Sequence, residues 1–320
     1  MRYALTGATG FVGGHLARQL REAGHEVVAV VRNPAKAADL EAIGVEVAPG
    51  DVTSRSSLVA AFGGVDGVYH VAGWYHLGSD HPEQGWAVNV QGTRNTLDAA
   101  REAEVPRVVY TSTLAVNSDT EGQVRDETYH YTGAHLSVYD HTKAQAHLIA
   151  EEYAGRGLDV VTVMPGGIYG PGDTSQIGEL IRQAAHGKRV LAPSGLRMCM
   201  AHVDDIATGH VLGMEKGRAG EAYMLAGPQT TLVEVLRITS EIAGGKAPVV
   251  LPDMAVGASE KMMAVLERVA PVPSTYRAES LRASRASYLG SPAKANAELG
   301  WFARPLRIGL AETVEEELRG

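Results

Sequence analysis

The chain of 320 residues has 29 Lys and Arg against 37 Asp and Glu, a net charge of −8, and 45% of its residues are hydrophobic. This length suits one large α/β unit with a smaller appended region. The acidic balance argues against broad binding to nucleic acid or to an anionic membrane, and the single cysteine, Cys199, excludes an internal disulfide and a cysteine-rich metal site.

The first half of the chain alternates β-branched apolar runs with helical stretches. The runs predict buried parallel strands at 3–6, 27–31, 45–47, 67–71, 108–111 and 160–164. The stretches between them predict helices near 11–23, 34–43, 54–62, 86–103 and 137–156. This alternation predicts an α/β fold built on a Rossmann-type doubly wound parallel sheet.

The pattern loosens after Met164, where a glycine-rich segment precedes a predicted helix near 174–187. We expect the apolar run at 222–225 to rejoin the main sheet. Residues 1–165, together with 201–226, are therefore assigned to the Rossmann domain. A smaller mixed α/β cap for the substrate takes 166–200 and 227–320, with helices near 230–244, 253–270 and 306–319.

Three glycines, Gly7, Gly10 and Gly13, lie between the first strand and the first helix. Glycine at this spacing allows a tight turn, a close approach of the backbone to a pyrophosphate, and close packing of helix on strand. The sequence therefore predicts a dinucleotide at this loop, with an ordinary tight turn as the alternative.

Tyr139 and Lys143 are four residues apart in a predicted helix, so they lie on the same face. A nearby ammonium group lowers the pKa of a phenol from about 10 towards neutral pH, which suits acid–base chemistry. Thr113 follows the strand 108–111 at its carboxyl end, where enzymes with such a sheet bind ligands. The alternatives are an amphipathic surface helix and a turn-forming threonine.

Several short motifs follow one another along most of the chain. They are Gly7-Ala8-Thr9-Gly10-Phe11-Val12-Gly13, Asp51-Val52, His70-Val71-Ala72-Gly73, Asn89-Val90-Gln91-Gly92-Thr93, Ser112-Thr113, the pair Tyr139 and Lys143, Tyr169-Gly170-Pro171-Gly172-Asp173 and His202-Val203-Asp204-Asp205. Together they resemble the extended short-chain dehydrogenase/reductase family.

The resemblance implies a Rossmann fold, a bound nicotinamide dinucleotide and hydride chemistry with the catalytic residues Thr113, Tyr139 and Lys143. It makes Tyr139 the acid/base, while Lys143 lowers the pKa of that phenol and binds the ribose. Asn89 is similar to a buried asparagine that orders the sheet under the family's site. The cofactor-binding residues that the resemblance implies, besides Tyr139 and Lys143, are Gly7, Thr9, Gly10, Phe11, Val12, Asp51, Val52, Ala72, Gly73 and Pro165.

The end of the second strand indicates which dinucleotide binds. A fold selective for NAD usually has an acidic residue there, which accepts from the ribose 2′-hydroxyl. Here Val31 is followed by Arg32 and, four residues later, Lys36, two cations that suit a 2′-phosphate and predict NADP(H). The ending Val31-Arg32-Asn33-Pro34 resembles the dihydroflavonol reductase-like branch. That branch implies an NADPH-dependent reductase of a ketone or aldehyde, with hydride from the nicotinamide and Tyr139 as proton donor.

Two other functions stay open. An NAD-dependent nucleotide-sugar epimerase or dehydratase shares these catalytic residues, but such enzymes commonly place an asparagine after the proline of the sixth strand, where this chain has Gly166 and Gly167. A non-catalytic NADP(H)-binding sensor is the alternative from another class. Such proteins often lose the catalytic tyrosine or lysine, and this chain has both.

We expect a small-molecule carbonyl substrate in a largely apolar pocket. The candidate substrate-binding residues are Trp74, Tyr75, Asn117, Tyr169 and Met198. No metal is expected, because the histidines near Tyr139 lack metal-ligand spacing. Helices near 86–103 and 137–156 resemble those that pair in family dimers, which predicts a homodimer. No charged leader precedes the first strand, so we expect a cytoplasmic protein with no nucleic-acid or membrane partner.

Overall fold

The main sheet is formed by buried apolar runs, and all its strand pairs are parallel. The computed structural model describes residues 1–319. Its strands are β1 (Arg2–Thr6), β2 (Glu26–Val31), β3 (Glu46–Pro49), β4 (Gly67–His70), β5 (Val108–Thr111), β6 (Val160–Pro165), β7 (Gly167–Tyr169), β8 (Leu191–Pro193), β9 (Arg197–His202), β10 (Ala222–Leu225), β11 (Gln229–Thr231), β12 (Val249–Leu251) and β13 (Ser287–Tyr288).

The sheet has seven strands in the order β10-β6-β5-β4-β1-β2-β3. The chain runs outward from β1 to β3 and then crosses back to β4, so the strand order reverses between β1 and β4. Ligands of open α/β sheets bind at the carboxyl ends of the strands at such a point. This is the predicted doubly wound fold, and the run at 222–225 joins it as the edge strand β10.

Helices cover both faces of this sheet. They are α1 (Phe11–Glu22), α2 (Ala38–Ala42), α3 (Arg55–Phe62), α4 (Pro82–Gly85), α5 (Gly92–Glu102), α6 (Val138–Gly155), α7 (Gln176–Ala185), α8 (Val203–Lys216), α9 (Leu232–Ile242), α10 (Asp253–Leu266), α11 (Ala278–Ala283) and α12 (Leu306–Arg319). α1 and α8 contact each other over one face, while α3, α5 and α6 pack over the other.

The cap contains two small sheets. β9 is flanked by β11 and β13 and also pairs with β7, and β8 pairs with β12. Helices α7, α9 and α12 contact one another beside these strands and enclose a separate apolar core. Among residues 1–319, none of the helices combines the length and the apolar character that crossing a bilayer requires.

The predicted element boundaries need correction at three places. The helix expected at 34–43 is a short turn at Pro34–Lys36 followed by α2, because Pro34 begins a new turn. The region 201–226 contains α8, which the sequence analysis did not predict. The segment 295–301, assigned to the cap, packs in the Rossmann core with α8, where Trp301 Nε1 donates to Asp205 O at 2.7 Å.

Candidate active site

The loop after β1 is shaped by glycines that no other residue could replace. Gly7 has φ +78°, and a Cβ on it would lie 2.6 Å from Ala72 N. A Cβ on Gly13 would lie 2.1 Å from Gly7 O. Thr9 and Gly10 are exposed at the tip of this loop, and Phe11 and Val12 begin α1 half-buried.

The N-terminus of α1 fits an anion. Gly10 provides no side-chain cap, and the first turn of the helix contains no acidic residue. Its N–H groups therefore have no side-chain acceptor, and the helix dipole adds positive potential at this end. The sequence prediction of a pyrophosphate here agrees with this geometry.

Residues after β3 and β4 border the same edge of the sheet. Ala72 N donates to Thr6 Oγ1 at 3.3 Å, and Ala72 and Gly73 lead away from β4 beside the glycine loop. Asp51 Oδ1 accepts from both Thr53 N and Thr53 Oγ1 at 2.8 Å, which closes a turn. Val52 is buried against α5. Asp51 and Val52 thus also have a structural role.

Two cations follow β2. Arg32 and Lys36 are both exposed, and neither makes an ion pair within residues 1–319. Asn33 Oδ1 accepts from Ala35 N at 3.1 Å and so orders the turn between them. A ligand with a phosphate at this strand end would meet two unpaired cations and no carboxylate from the strand itself.

Lys143 is a buried amine at the carboxyl end of β5. Only 5% of it is exposed, and its Nζ donates to Thr111 O at 2.6 Å and to Tyr110 Oη at 3.2 Å. Burial lowers the pKa of Lys143 to about 7. The charged form of this amine is therefore disfavoured relative to a solvent-exposed lysine.

Tyr139 lies one turn earlier on α6, half-buried, with the ring of Tyr75 edge-on at 4.8 Å between centroids. Burial raises the pKa of Tyr139, the nearby Tyr75 adds to this, and a hydrogen bond with the Thr113 side chain opposes it. In this structure Lys143 Nζ bonds to β5 and burial dominates, so the pKa of Tyr139 is raised, and its lowering by Lys143 stays a prediction. Tyr139 is therefore a neutral phenol, which is a proton donor.

The floor of the site is a polar network that sequence reasoning found only in part. Asn89 Oδ1 accepts from Trp74 N at 2.7 Å, while its Nδ2 donates to Trp74 O at 3.0 Å and to Thr142 Oγ1 at 2.9 Å. Asn89 therefore fixes the loop after β4 to the residue before Lys143. This agrees with the ordering role implied for it.

Tyr110 and Asp140 were missed. The strand pattern reported Tyr110 only as a buried residue, whereas its hydroxyl accepts from Lys143. Asp140, the neighbour of Tyr139, accepts from Ser137 Oγ at 2.8 Å and from Tyr288 Oη at 3.2 Å. A carboxylate directly after the tyrosine was a visible signal, but its partner in β13 was not.

The predicted substrate residues lie in different parts of the structure. Tyr75 lies against Tyr139, and Asn117 is buried near the end of β5 with no partner for its Nδ2 in the described chain. Trp74 is buried, with its ring against Gly85. Tyr169 and Met198 lie in the apolar core of the cap, where the pairing of β7 with β9 leaves them 0% and 4% exposed.

Comparisons with known proteins agree with this architecture. A family model described as the NAD dependent epimerase/dehydratase family matches residues 3–226. Sterol demethylase protein B of Methylococcus capsulatus is 31% identical over 98% of this chain and 97% of its own length. A putative dihydroflavonol 4-reductase of Synechocystis sp. is 31% identical over 98% of this chain and 93% of its own.

The solved structure of a nucleoside-diphosphate-sugar epimerase from Pseudomonas aeruginosa aligns with a TM-score of 0.80 at 25% identity, covering 100% of this chain and 98% of that one. The family match spans more than half of the residues, and it includes the glycine loop, Thr113, Tyr139 and Lys143. The chain belongs to the NAD dependent epimerase/dehydratase family and, like the reductases among its relatives, is an oxidoreductase.

Proposed function

We propose that the protein is an NADPH-dependent reductase of a ketone or aldehyde. The observation that supports this most is the neutral phenol of Tyr139, placed between the hydroxyl of Thr113 and the ring of Tyr75. Two hydroxyls together polarise a carbonyl oxygen as it gains charge, and one of them protonates it. The aromatic ring beside them favours an apolar or aromatic carbonyl compound.

The residues present fit a nicotinamide dinucleotide. The glycine loop and the start of α1 would hold the pyrophosphate, Arg32 and Lys36 would hold the 2′-phosphate, and Lys143 would reach a ribose hydroxyl. When bound, NADPH supplies the hydride that reduces the carbonyl carbon. Residues of the chain do the rest, which is positioning, polarisation and proton transfer.

Proton transfer belongs to Tyr139. Its raised pKa keeps the proton on the phenol until the substrate oxygen becomes basic enough to take it. When substrate binds, the single O–H of Thr113 turns from Tyr139 to donate to the same oxygen, while its Oγ1 accepts from Ala115 N at 3.2 Å. Lys143, with a pKa of about 7, exchanges protons readily near neutral pH.

The reductase is favoured over an NAD-dependent nucleotide-sugar epimerase or dehydratase by a packing detail. A Cβ on Gly166 would lie 2.4 Å from Cys199 O, so no side chain fits there. The asparagine that such enzymes commonly use at this point therefore cannot be accommodated without moving β9. A non-catalytic sensor is disfavoured by the presence of both Tyr139 and Lys143.

Calorimetric titration of the purified protein with NADPH and NADH tests the proposal. We expect NADPH to bind more tightly, and Arg32→Glu to weaken NADPH at least about tenfold while changing NADH little, because charge-assisted hydrogen bonds contribute about 1.5–3 kcal/mol. Turnover is then assayed with aromatic and aliphatic ketones and aldehydes.

Arg189→Glu is the matched control, since Arg189 is also exposed but lies before β8 in the cap. It makes the same charge change and leaves both affinities unaltered. Tightly bound NAD in the purified protein, or equal affinities for the two nucleotides, would move the epimerase or dehydratase to first place. Nucleotide binding without turnover of any carbonyl would favour the sensor.

We also propose that the protein is a homodimer. α5 and α6 contact each other, and their outward residues include the half-exposed Leu148. Next to them, the Trp86 ring is exposed and lies 5.1 Å from the His141 ring. Pairing of two such helices across a two-fold axis would cover these rings and Leu148.

A further inference from the structure

Two acidic residues of helix α10, and Glu267 directly after it, bond to α11 and its flanking residues. Asp253 accepts from Arg285 Nε at 2.8 Å, and Glu260 accepts from Arg282 Nε at 2.9 Å and from Arg285 Nη1 at 3.1 Å. Further along, Glu267 Oε1 accepts from Ala278 N. These three acids are seven residues apart, so they form one stripe along the helix, facing α11 and its flanking residues.

The outward face of α10 is apolar instead. At spacings of three and four residues it presents Met254, Ala258, Met262 and Val265, and Val269 follows at the same spacing in the turn after the helix. Met254 and Val269 are 85% and 80% exposed, and Met262 and Val265 are 59% and 64% exposed. A surface helix of a soluble domain normally presents polar residues on its outward face.

Cations line one edge of this stripe. Lys261 and Arg268 are exposed and seven residues apart, and neither makes an ion pair within the described part of the chain. The acids of the helix are all bonded to α11 or its flanks. The outward charge is therefore positive, although the whole chain has a net charge of −8.

We propose that this apolar face of α10, with Lys261 and Arg268, docks on the surface of an anionic lipid bilayer. An apolar helical stripe beside exposed cations is the pattern of a helix that lies in the membrane interface. Tyr276, ten residues after the end of α10 and 58% exposed, adds the amphipathic ring that is common at that depth. The net negative charge of the chain led us to expect no membrane partner. That charge is a sum over the whole molecule, whereas the cations beside α10 are a local feature of its surface.

A second copy of the chain fits this face less well. Fourteen residues of helix are about 21 Å long, and one face about 10 Å wide presents about 200 Å². A stable protein interface buries about 800 Å² per partner. A bilayer has no such minimum, because it takes up each apolar side chain separately and attracts each cation.

The docking surface lies near the catalytic helix. Glu279 of α11 accepts from Val138 N, the first residue of α6, at 3.1 Å, and α10 packs on α11. Docking is nevertheless separate from the reaction proposed above, since no residue of the stripe contacts Tyr139, Thr113 or Lys143. Binding to lipid can therefore be measured without any assay of turnover.

Flotation of the full-length protein with vesicles tests this inference. We expect binding to vesicles that contain phosphatidylglycerol, weaker binding to pure phosphatidylcholine, and loss of the difference at high salt. The double variant Met262→Glu/Val265→Glu should reduce binding at least tenfold. Lys261→Glu/Arg268→Glu should remove the preference for phosphatidylglycerol.

Ile308→Glu on α12 is the matched control, because Ile308 is 53% exposed and apolar but lies elsewhere on the surface. It should bind vesicles like the wild type, and circular dichroism should show all variants folded. The inference is overturned if the wild type does not float, if Met262→Glu/Val265→Glu floats like the wild type, or if that variant instead abolishes a concentration-dependent dimer.

Discussion

Tyr139 is surrounded by hydroxyls and aromatic rings rather than by cations. The rings of Tyr75 and Tyr139 are edge-on, and the nearby negative charge of Asp140 also raises the pKa of Tyr139. The one nearby amine, Lys143, bonds to β5. Since desolvation of the phenolate outweighs the opposing bond from Thr113, the phenol keeps its proton, as the proposed role of Tyr139 as proton donor requires.

Tyr139→Phe removes that proton and little else. We expect turnover to fall by about 10²–10⁴-fold, the usual contribution of a positioned general acid, with nucleotide affinity nearly unchanged. Steady-state rates and calorimetry on the same preparation measure both. Tyr153→Phe, which removes another phenol from α6 far from the site, should keep its rate; a Tyr139→Phe variant with wild-type turnover would exclude Tyr139 as the acid.

The start of α6 is held by other elements through carboxylates. Asp140 binds Tyr288 of β13, and Glu279 binds the backbone of Val138. Burial raises the pKa of Asp140 to about 7, although hydrogen bonds from Ser137 and Tyr288 act against it. A strand of the cap and the catalytic helix therefore meet at a carboxyl group that changes charge near neutral pH.

This pKa predicts a pH-dependent stability. The folded-state pKa of Asp140 lies above the ordinary value of 3.8, so the folded protein binds this proton more tightly than the unfolded chain. The stabilising contribution of the proton to the free energy of unfolding is therefore complete below about pH 4 and is lost as the pH rises through about 7. In the wild type we expect the free energy of unfolding to fall by on the order of 1–3 kcal/mol between pH 5 and 8 because of Asp140. The Asp140→Asn variant should lack this fall.

Urea unfolding at several pH values measures this difference. Asp39→Asn on α2, which changes an exposed carboxylate, should leave the wild-type profile intact. If the Asp140→Asn profile is parallel to that of the wild type, Asp140 does not titrate in this range.

At the scale of the molecule, two apolar surfaces have no partner among residues 1–319. One is the stripe on α10, and the other is the outward side of α5 and α6 with Leu148, 51% exposed. They differ in setting, since Leu148 lies on a pair of long helices that present a broad face, whereas α10 is a single helix edged by cations. The stripe on α10 suits a flat lipid surface. The broad face of α5 and α6 suits another copy of the chain.

Leu148→Arg tests the dimer. A buried, unpaired charge at the centre of a two-fold interface occurs twice, so we expect the variant to be monomeric at concentrations where the wild type is dimeric. Light scattering after size-exclusion chromatography gives the masses. Leu191→Arg, at a similarly exposed leucine of β8, should not change the mass; a monomeric wild type would refute the proposal.

The sequence by itself determined the order of the main strands and helices, the glycine loop and the spacing of Tyr139 and Lys143. Each of these depends on residues close together in the chain, where periodicity reports burial and a glycine reports a turn. The glycine loop could be predicted because the contacts that require Gly7 and Gly13 lie within the loop itself and on the neighbouring strand end.

Only the tertiary structure decided which distant residues meet. Trp301 bonds to the carbonyl of Asp205, Tyr288 to Asp140, and Tyr169 and Met198 turn inward when β7 pairs with β9. An apolar side chain can equally well line a pocket or pack in a core. An acidic side chain can equally well face water or pair with an arginine, as it does on α11. The partner that each finds depends on long-range packing, which local pattern does not encode.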